Sequence, residues 1–198
     1  MTQTALRYES ESVTPQDARE RLKGIILARN SLIRGKLVTL ASGLTSGFYF
    51  DMKPTTFDPE GATVIGDLIL AALAGQDVDF VAGLEMGALP VVMAVVMRSE
   101  ARGQPIPGFC VRKEVKTHGT QRLIERDLKS GSKVVVVDDV TTTGGSVLKA
   151  VKAVRAAGGV VDTVVTVVDR LEGAAANLAA EGLTLIPLLT ARDFDLAA

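Results

Sequence analysis

The sequence predicts an α/β fold: a doubly wound, mainly parallel five-stranded sheet with helices on both faces and a small N-terminal hood. Three observations carry this expectation. Short apolar runs alternate with helix-period segments through the last two thirds of the chain, the rhythm of parallel strands joined by crossover helices. Val134, Val135, Val136 and Val137 are apolar without interruption, as a central strand covered on both faces requires. Two acids and a Thr/Gly-rich loop follow that run directly, at the strand end where open α/β sheets place their ligands.

Taken in order, Thr14, Pro15 and Asp17 form a helix start, with a hydroxyl cap, Pro in the first turn and an acid three residues on. Ala18, Leu22, Ile25, Ile26, Leu32 and Ile33 recur at helical spacing and predict that this helix runs on through Ile33. Residues 37–40 and 47–51 then flank a short polar stretch and read as a hairpin, a hood over something. Of Phe48, Tyr49 and Phe50, two are expected in the core. A second helix starts at Asp58 and Pro59, carries Val64, Ile65, Leu68, Ile69 and Leu73 on one face, and ends at Gly75. Residues 78–82 are the first core strand, and Pro90 opens the helix after it. Strands at 106–111, 134–137, 163–168 and 184–189 follow, with helices to Ala157 and over 173–181 between the last three.

The 198 residues, 47% of them hydrophobic, suit one domain with a substantial core. Its hood is expected mainly in 1–57 with C-terminal residues added, and its core in about 58–190. A net charge of -1 supplies no overall basic field, so nucleic acid is not expected as a partner. No apolar run reaches membrane-spanning length, so no membrane partner is expected either. The single cysteine, Cys110, excludes an intrachain disulfide and suits a reducing cytoplasm. It lies in an apolar run and reads as a core residue, with a nucleophilic role as the alternative. Residues 1–13 are polar and acidic, without the basic start and apolar middle of a signal peptide, so secretion is not expected.

Beyond the valines, Thr141, Thr142, Thr143, Gly144, Gly145 and Ser146 offer hydroxyls and unobstructed backbone N–H groups just before a helix. The first N–H groups of a helix lack intrahelical partners and sit at the positive end of its dipole, so the loop reads as a phosphate cradle. Asp138 and Asp139 would repel that phosphate, which directs them to neutral sugar hydroxyls, with a divalent cation as the second option. A phosphorylated sugar follows. Neither G-x-G-x-x-G nor G-x-x-x-x-G-K-[ST] occurs in the chain.

Residues 112–126 break the alternation. They gather Arg112, Lys113, Lys116, His118, Arg122 and Arg126 in a loop too long for a simple connector, with Gly119 as a hinge candidate. A solvated charged loop is the plain reading, and a basic lid is the functional one.

The stretch from Val134 to Ser146 resembles the ribose-phosphate loop of the type I phosphoribosyltransferases. That resemblance implies that Asp138 and Asp139 hold the ribose hydroxyls, while Val140 and residues 141–146 line the 5-phosphate of phosphoribosyl diphosphate. Three further stretches are similar to the orotate phosphoribosyltransferases: residues 40–51 to the hood signature, Arg112, Lys113, Lys116, His118 and Gly119 to the catalytic loop, and Asp169 with Arg170 to the place of an orotate-binding Arg. The resemblance implies transfer of the 5-phosphoribosyl group to orotate, giving orotidine 5'-phosphate and diphosphate in pyrimidine (UMP) biosynthesis. Lys113, Lys116 and His118 are then catalytic, Arg112 joins them on phosphoribosyl diphosphate, and Thr142 and Arg170 meet the orotate. Mg²⁺ is implied as carried mainly by the diphosphate, without a metal site of protein ligands. A homodimer whose lids reach into each other's sites is implied as well. Ala41 and Met86 depart from the pattern, since each stands where many members have Lys.

The residues suit that chemistry. Displacing diphosphate from ribose C1 leaves positive charge on the sugar and negative charge on the leaving group, so cations over the diphosphate and exclusion of water are needed. His118 or a lysine could protonate the leaving group, and the residues do not rank them. Arg170 offers a planar fork for a carboxylate. Two rivals keep part of this reading: transfer to a purine base, and a regulator that senses phosphoribosyl diphosphate without turning it over.

Overall fold

The computed structural model describes residues 14–39, 45–114, 123–124 and 126–196. Helix α1 spans Pro15–Ala28, and the Thr14 side chain accepts from the Asp17 N–H at 3.2 Å. It stops earlier than its apolar spacing suggests. Arg29 caps it and Asn30 adopts φ 54°, a left-handed turn that Asn tolerates, so Leu32 and Ile33 leave the helix. They begin strand β1, Leu32–Thr39, which pairs antiparallel with β2, Thr45–Phe50. The expected hairpin is therefore present and starts five residues sooner than its polar tip implied. A short helix α2, Lys53–Thr56, follows; four residues with Pro54 and two threonines give no periodic signal for it. Helix α3, Pro59–Ala72, starts where Asp58 and Pro59 place it, with Asp58 Oδ1 accepting from the N–H groups of Glu60 and Gly61 at 3.0 Å.

The core sheet consists of β3 (Phe80–Leu84), β4 (Gly108–Val111), β5 (Val134–Thr141), β6 (Thr163–Asp169) and β7 (Thr184–Thr190). All pairings are parallel, as the sequence predicts, and the strand order is β4-β3-β5-β6-β7. Between the strands lie α4 (Ala88–Ala101), α5 (Gly145–Ala156) and α6 (Ala174–Ala179). Two boundaries differ for identifiable reasons. Strand β3 lies two residues beyond the expected 78–82, because Gly83 is a packing glycine rather than a breaker: a Cβ there would sit 2.5 Å from the Ala88 Cβ and 2.9 Å from the Val137 carbonyl oxygen. Strand β4 begins after Pro105 and Pro107, which have no N–H for the ladder.

The four valines of β5 divide by period two. Val135 and Val137 pack with residues of α1, α3 and α4, whereas Val134 and Val136 pack with residues of α5 and with Leu178 of α6. Strand β5 then runs on through the acids, with Asp138 opposite Thr166 and Val140 opposite Val168. Since β3 is followed by β4 on one side and β5 on the other, the chain reverses winding direction between β3 and β5. A crevice at the carboxyl ends of those two strands is where such sheets bind ligands.

Beyond β7 a 3-10 turn, Ala191–Phe194, closes the chain against the hairpin. The Phe194 ring meets Phe50 edge-on at 5.2 Å, and Arg34 Nη2 donates to the Phe194 carbonyl at 2.7 Å. Phe50 is buried and Phe48 packs at the core's edge, which fits the expectation that two of the three hood aromatics are core residues.

Candidate active site at the switch point

The site begins with two adjacent carboxylates near the end of β5. The Asp139 N–H donates to Asp138 Oδ1 at 3.1 Å, and the Val140 N–H donates to Asp139 Oδ1 at 2.9 Å. Burial pushes the Asp138 carboxyl well above the usual carboxylate range, the neighbouring Asp139 charge adds to the rise, and Lys113 opposes it. Asp139 is also raised by burial, against the pull of the Val140 N–H. Such perturbed groups in a cleft mark a site that holds a polar ligand. The loop after β3 closes on this pair. A Cβ on Gly87 would stand 2.8 and 2.9 Å from the Asp139 oxygens, so only glycine lets the backbone come so near. The Glu85–Met86 peptide bond in this loop is cis.

The Thr/Gly loop is tied down from behind. Buried Thr141 donates its hydroxyl to Asp169 Oδ1 at 3.2 Å, and its carbonyl accepts from the Arg170 N–H at 2.9 Å. The Thr142 carbonyl accepts from the Ala174 N–H at 3.1 Å, and the Thr143 carbonyl accepts from Asn177 Nδ2 at 2.9 Å. Gly144 then turns at φ 83° as the N-cap of α5, and Gly145 and Ser146 lie in the first turn. Carbonyls that are engaged on the far side leave the loop's N–H groups and hydroxyls as its outward chemistry, aligned with the positive end of the helix dipole.

At the end of β6, Arg170 is 1% exposed despite its charge. Its Nε and Nη2 donate to Glu172 Oε1 at 2.9 and 2.7 Å, and its guanidinium lies 4.4 Å from the centre of the Phe48 ring. Leu171 adopts φ 62°, a strained conformation for a branched residue, and its N–H donates to Asp169 Oδ1 at 3.0 Å. Arg170 thus joins the hood to the carboxyl end of β6.

The basic segment departs from the end of β4. The Arg112 N–H donates to the Leu123 carbonyl at 2.9 Å, and Val111 and Ile124 form an antiparallel bridge, so the segment leaves and returns at one point. The Lys113 N–H donates to Glu85 Oε1 at 2.9 Å, which fixes the start of the segment against the loop that reaches Asp139. Arg126, at the far end of the segment, has its guanidinium 4.6 Å from the centre of the Phe80 ring, whereas Lys116, His118, Gly119 and Arg122 of the segment and Ala41 of the hood lie outside the described residues.

The structure therefore brings Arg112, Lys113, Asp138, Asp139, Val140, residues 141–146 and Arg170 to neighbouring strand ends. Cys110 is half-buried and stands one residue before the end of β4. Sequence reasoning missed Glu85, Glu172 and Asn177. Glu172 had one available signal, its position two residues after Arg170; the other two are defined only by what tertiary contact brings beside them. Among the described residues no group of three or more His, Cys, Asp or Glu could hold a metal ion, and no helix is long and apolar enough to cross a membrane.

Residues 59–185 match the phosphoribosyl transferase domain family. An orotate phosphoribosyltransferase of a Bradyrhizobium species, strain BTAi1, is 50% identical over 173 residues, covering 85% of this chain and 93% of that one. The orotate phosphoribosyltransferase of Methanocaldococcus jannaschii is 49% identical over 154 residues, 78% of this chain and 84% of its own. Among solved structures, the Mycobacterium tuberculosis orotate phosphoribosyltransferase in complex with phosphoribosyl diphosphate superposes with a TM-score of 0.74 at 38% identity, covering 90% of this chain and 99% of that one.

Proposed function

The chain belongs to the orotate phosphoribosyltransferase family, and from that membership we propose how its residues divide the work. It is a phosphoribosyltransferase that joins the 5-phosphoribosyl group of phosphoribosyl diphosphate to orotate, giving orotidine 5'-phosphate and diphosphate in pyrimidine biosynthesis. The observation that carries the assignment of roles is the buried acid pair next to a phosphate loop at the switch point.

Asp138 and Asp139 accept hydrogen bonds from the ribose hydroxyls and hold the sugar by its 2- and 3-positions. Residues 141–146 take the 5-phosphate through N–H groups and the hydroxyls of Thr142, Thr143 and Ser146, and Val140 lines the phosphoribosyl diphosphate. Both ends of the ribose are then fixed, which leaves C1 between the leaving group and the incoming base. Arg112 and Lys113, with Lys116 and His118 of the same segment, close over the diphosphate and neutralise the charge that grows there. His118 or a lysine delivers a proton to the departing oxygens. Arg170 and Thr142 position orotate. The Arg170 fork contacts Glu172 and Phe48 in this structure, so orotate meets a guanidinium already oriented by both.

Mg²⁺ fits as an ion brought by the substrate: the two acids supply hard oxygen donors near the diphosphate, and no ready-made protein cage exists among the described residues. When bound it adds charge neutralisation on the diphosphate. The reading includes a homodimer in the cytoplasm. Its support is an apolar groove of about 480 Å³ lined in part by Phe57, Met86, Met93 and Met97, each more than half exposed. Met86 belongs to the loop that closes on Asp139, so a second copy seated there borders the site it shares.

The test is the loss of orotate's ultraviolet absorbance on mixing protein, phosphoribosyl diphosphate and Mg²⁺, beside adenine, hypoxanthine and uracil. Consumption of orotate alone is expected, and Lys113→Ala lowers the rate at least 100-fold. Consumption of a purine base instead would overturn the acceptor.

A further inference from the structure

We propose that Lys53, on the hood side of the crevice, is a diphosphate-binding residue that supplies the positive charge Met86 does not. The proposal rests on the reading of the site as one for phosphoribosyl diphosphate. Three observations place Lys53 there. Helix α2 begins with Lys53 and ends at Thr56, and Thr56 and Phe57 line the same groove as Met86, so α2 stands beside the loop 85–87. That loop packs against Asp139, with room for only a glycine between them. The Lys53 ammonium also acts on the Asp139 carboxylate and the carboxylate on it, an effect weaker than that of Asp51 on Lys53.

The loop 85–87 itself brings Glu85, Met86 and Gly87 to the crevice, an acid and two uncharged residues. Glu85 is already engaged by the Lys113 N–H. A dianionic leaving group lying over this loop would meet no side-chain cation from the loop. Lys53 is the cation that the fold sets alongside: its Nζ is 2.9 Å from Asp51 Oδ1, and its side chain is 63% exposed. Asp51 holds the ammonium in place and keeps it protonated, chiefly through their hydrogen bond, while leaving donors free for an incoming anion. A lysine suits this task as a compact charge with three donors. Lys53 and the lid then approach the diphosphate from opposite sides, Lys53 from the hood and Lys113 from the end of β4.

The experiment is calorimetric binding of phosphoribosyl diphosphate and of ribose 5-phosphate to wild type, Lys53→Ala, Lys53→Arg and the double variant Lys53→Ala/Met86→Lys. Lys53→Ala is expected to weaken phosphoribosyl diphosphate binding about tenfold while ribose 5-phosphate binding stays unchanged. Lys53→Arg recovers most of the loss, and Met86→Lys restores affinity in the Lys53→Ala background. Equal weakening of both ligands, or no change with either, would overturn the proposal. The thermal midpoint of each variant identifies a folding defect, which an exposed residue should not produce. Failure of wild type to bind phosphoribosyl diphosphate would instead defeat the reading of the site itself.

Discussion

Asp138 is the residue where folding and function pull in opposite directions. The folded chain holds its carboxyl well above the ordinary range, mainly by burial. Its contribution to stability is therefore present at acid pH and is lost as pH rises through the raised folded value. At pH 8 keeping this acid buried costs stability, because the unfolded chain ionises it freely. Asp138→Asn keeps an oxygen to accept from the Asp139 N–H, so it should raise the thermal midpoint by ~2–4 °C at pH 8, with a gain that shrinks toward pH 4. If Asp138 holds the ribose as proposed, the same change removes one of its acceptors and should lower kcat/KM at least 100-fold. Melting curves across pH, paired with initial rates, check both halves. This trade follows from burial, which the Asp-Asp dipeptide cannot reveal by itself. What the dipeptide did disclose was its place: two acids directly after four valines lie at the end of a central strand. Arg170 was legible in the same way, by its position after the next strand, whereas its contacts with Glu172 and Phe48 depend on a strained turn at Leu171 and on a hood distant in sequence.

At the scale of elements, the loop from Thr141 to Ser146 works because both its flanks are rigid. Gly144 occupies φ 83°, and a Cβ there would lie 3.3 Å from the Leu178 Cγ. Gly144→Ala should cost about 1–2 kcal/mol, from the left-handed conformation and the contact together, and weaken ribose 5-phosphate binding about tenfold. Thermal melting and calorimetry report the two effects separately. The central strand and its loop were readable because burial on both faces forces a continuous apolar run. Other elements were not. Leu32 and Ile33 keep helical spacing with α1 although Asn30 has already turned the chain, and Gly83 looks like a break although it is packed against Ala88. In the first case a local left-handed turn ends the helical period, and in the second a tertiary contact overrides the local signal. The register of the basic segment is visible only at its ends, where Arg112 meets Leu123.

For the whole molecule, the hood, the sheet and the apolar groove meet around one crevice. The C-terminal turn locks the hood through Phe194 and Arg34, and Arg170 reaches the same face of β2 through Phe48, whose ring lies 6.0 Å from that of Phe50. The exposed Met93 and Met97 of α4 line the groove together with Phe57 and Met86. If the proposed homodimer forms through the groove, replacing Met93, half-exposed there, by Glu should leave the fold intact and yield monomer, with activity falling as the proposed shared lids lose the neighbouring site. Sedimentation of wild type and Met93→Glu, read beside activity, checks this; a wild type that sediments as a monomer with full activity contradicts it. Composition and charge carried no sign of this surface, because scattered apolar residues become a patch only when α3 and α4 are packed side by side.

One measurement tests the central claim most directly: the rate at which wild type, Asp138→Asn and Lys113→Ala consume orotate in the presence of phosphoribosyl diphosphate and Mg²⁺, with orotidine 5'-phosphate and diphosphate quantified together. The account predicts one diphosphate released per orotate consumed by wild type, and at least a 100-fold lower rate in each variant. Tight binding of phosphoribosyl diphosphate with no orotate consumed, or variants as fast as wild type, would contradict it.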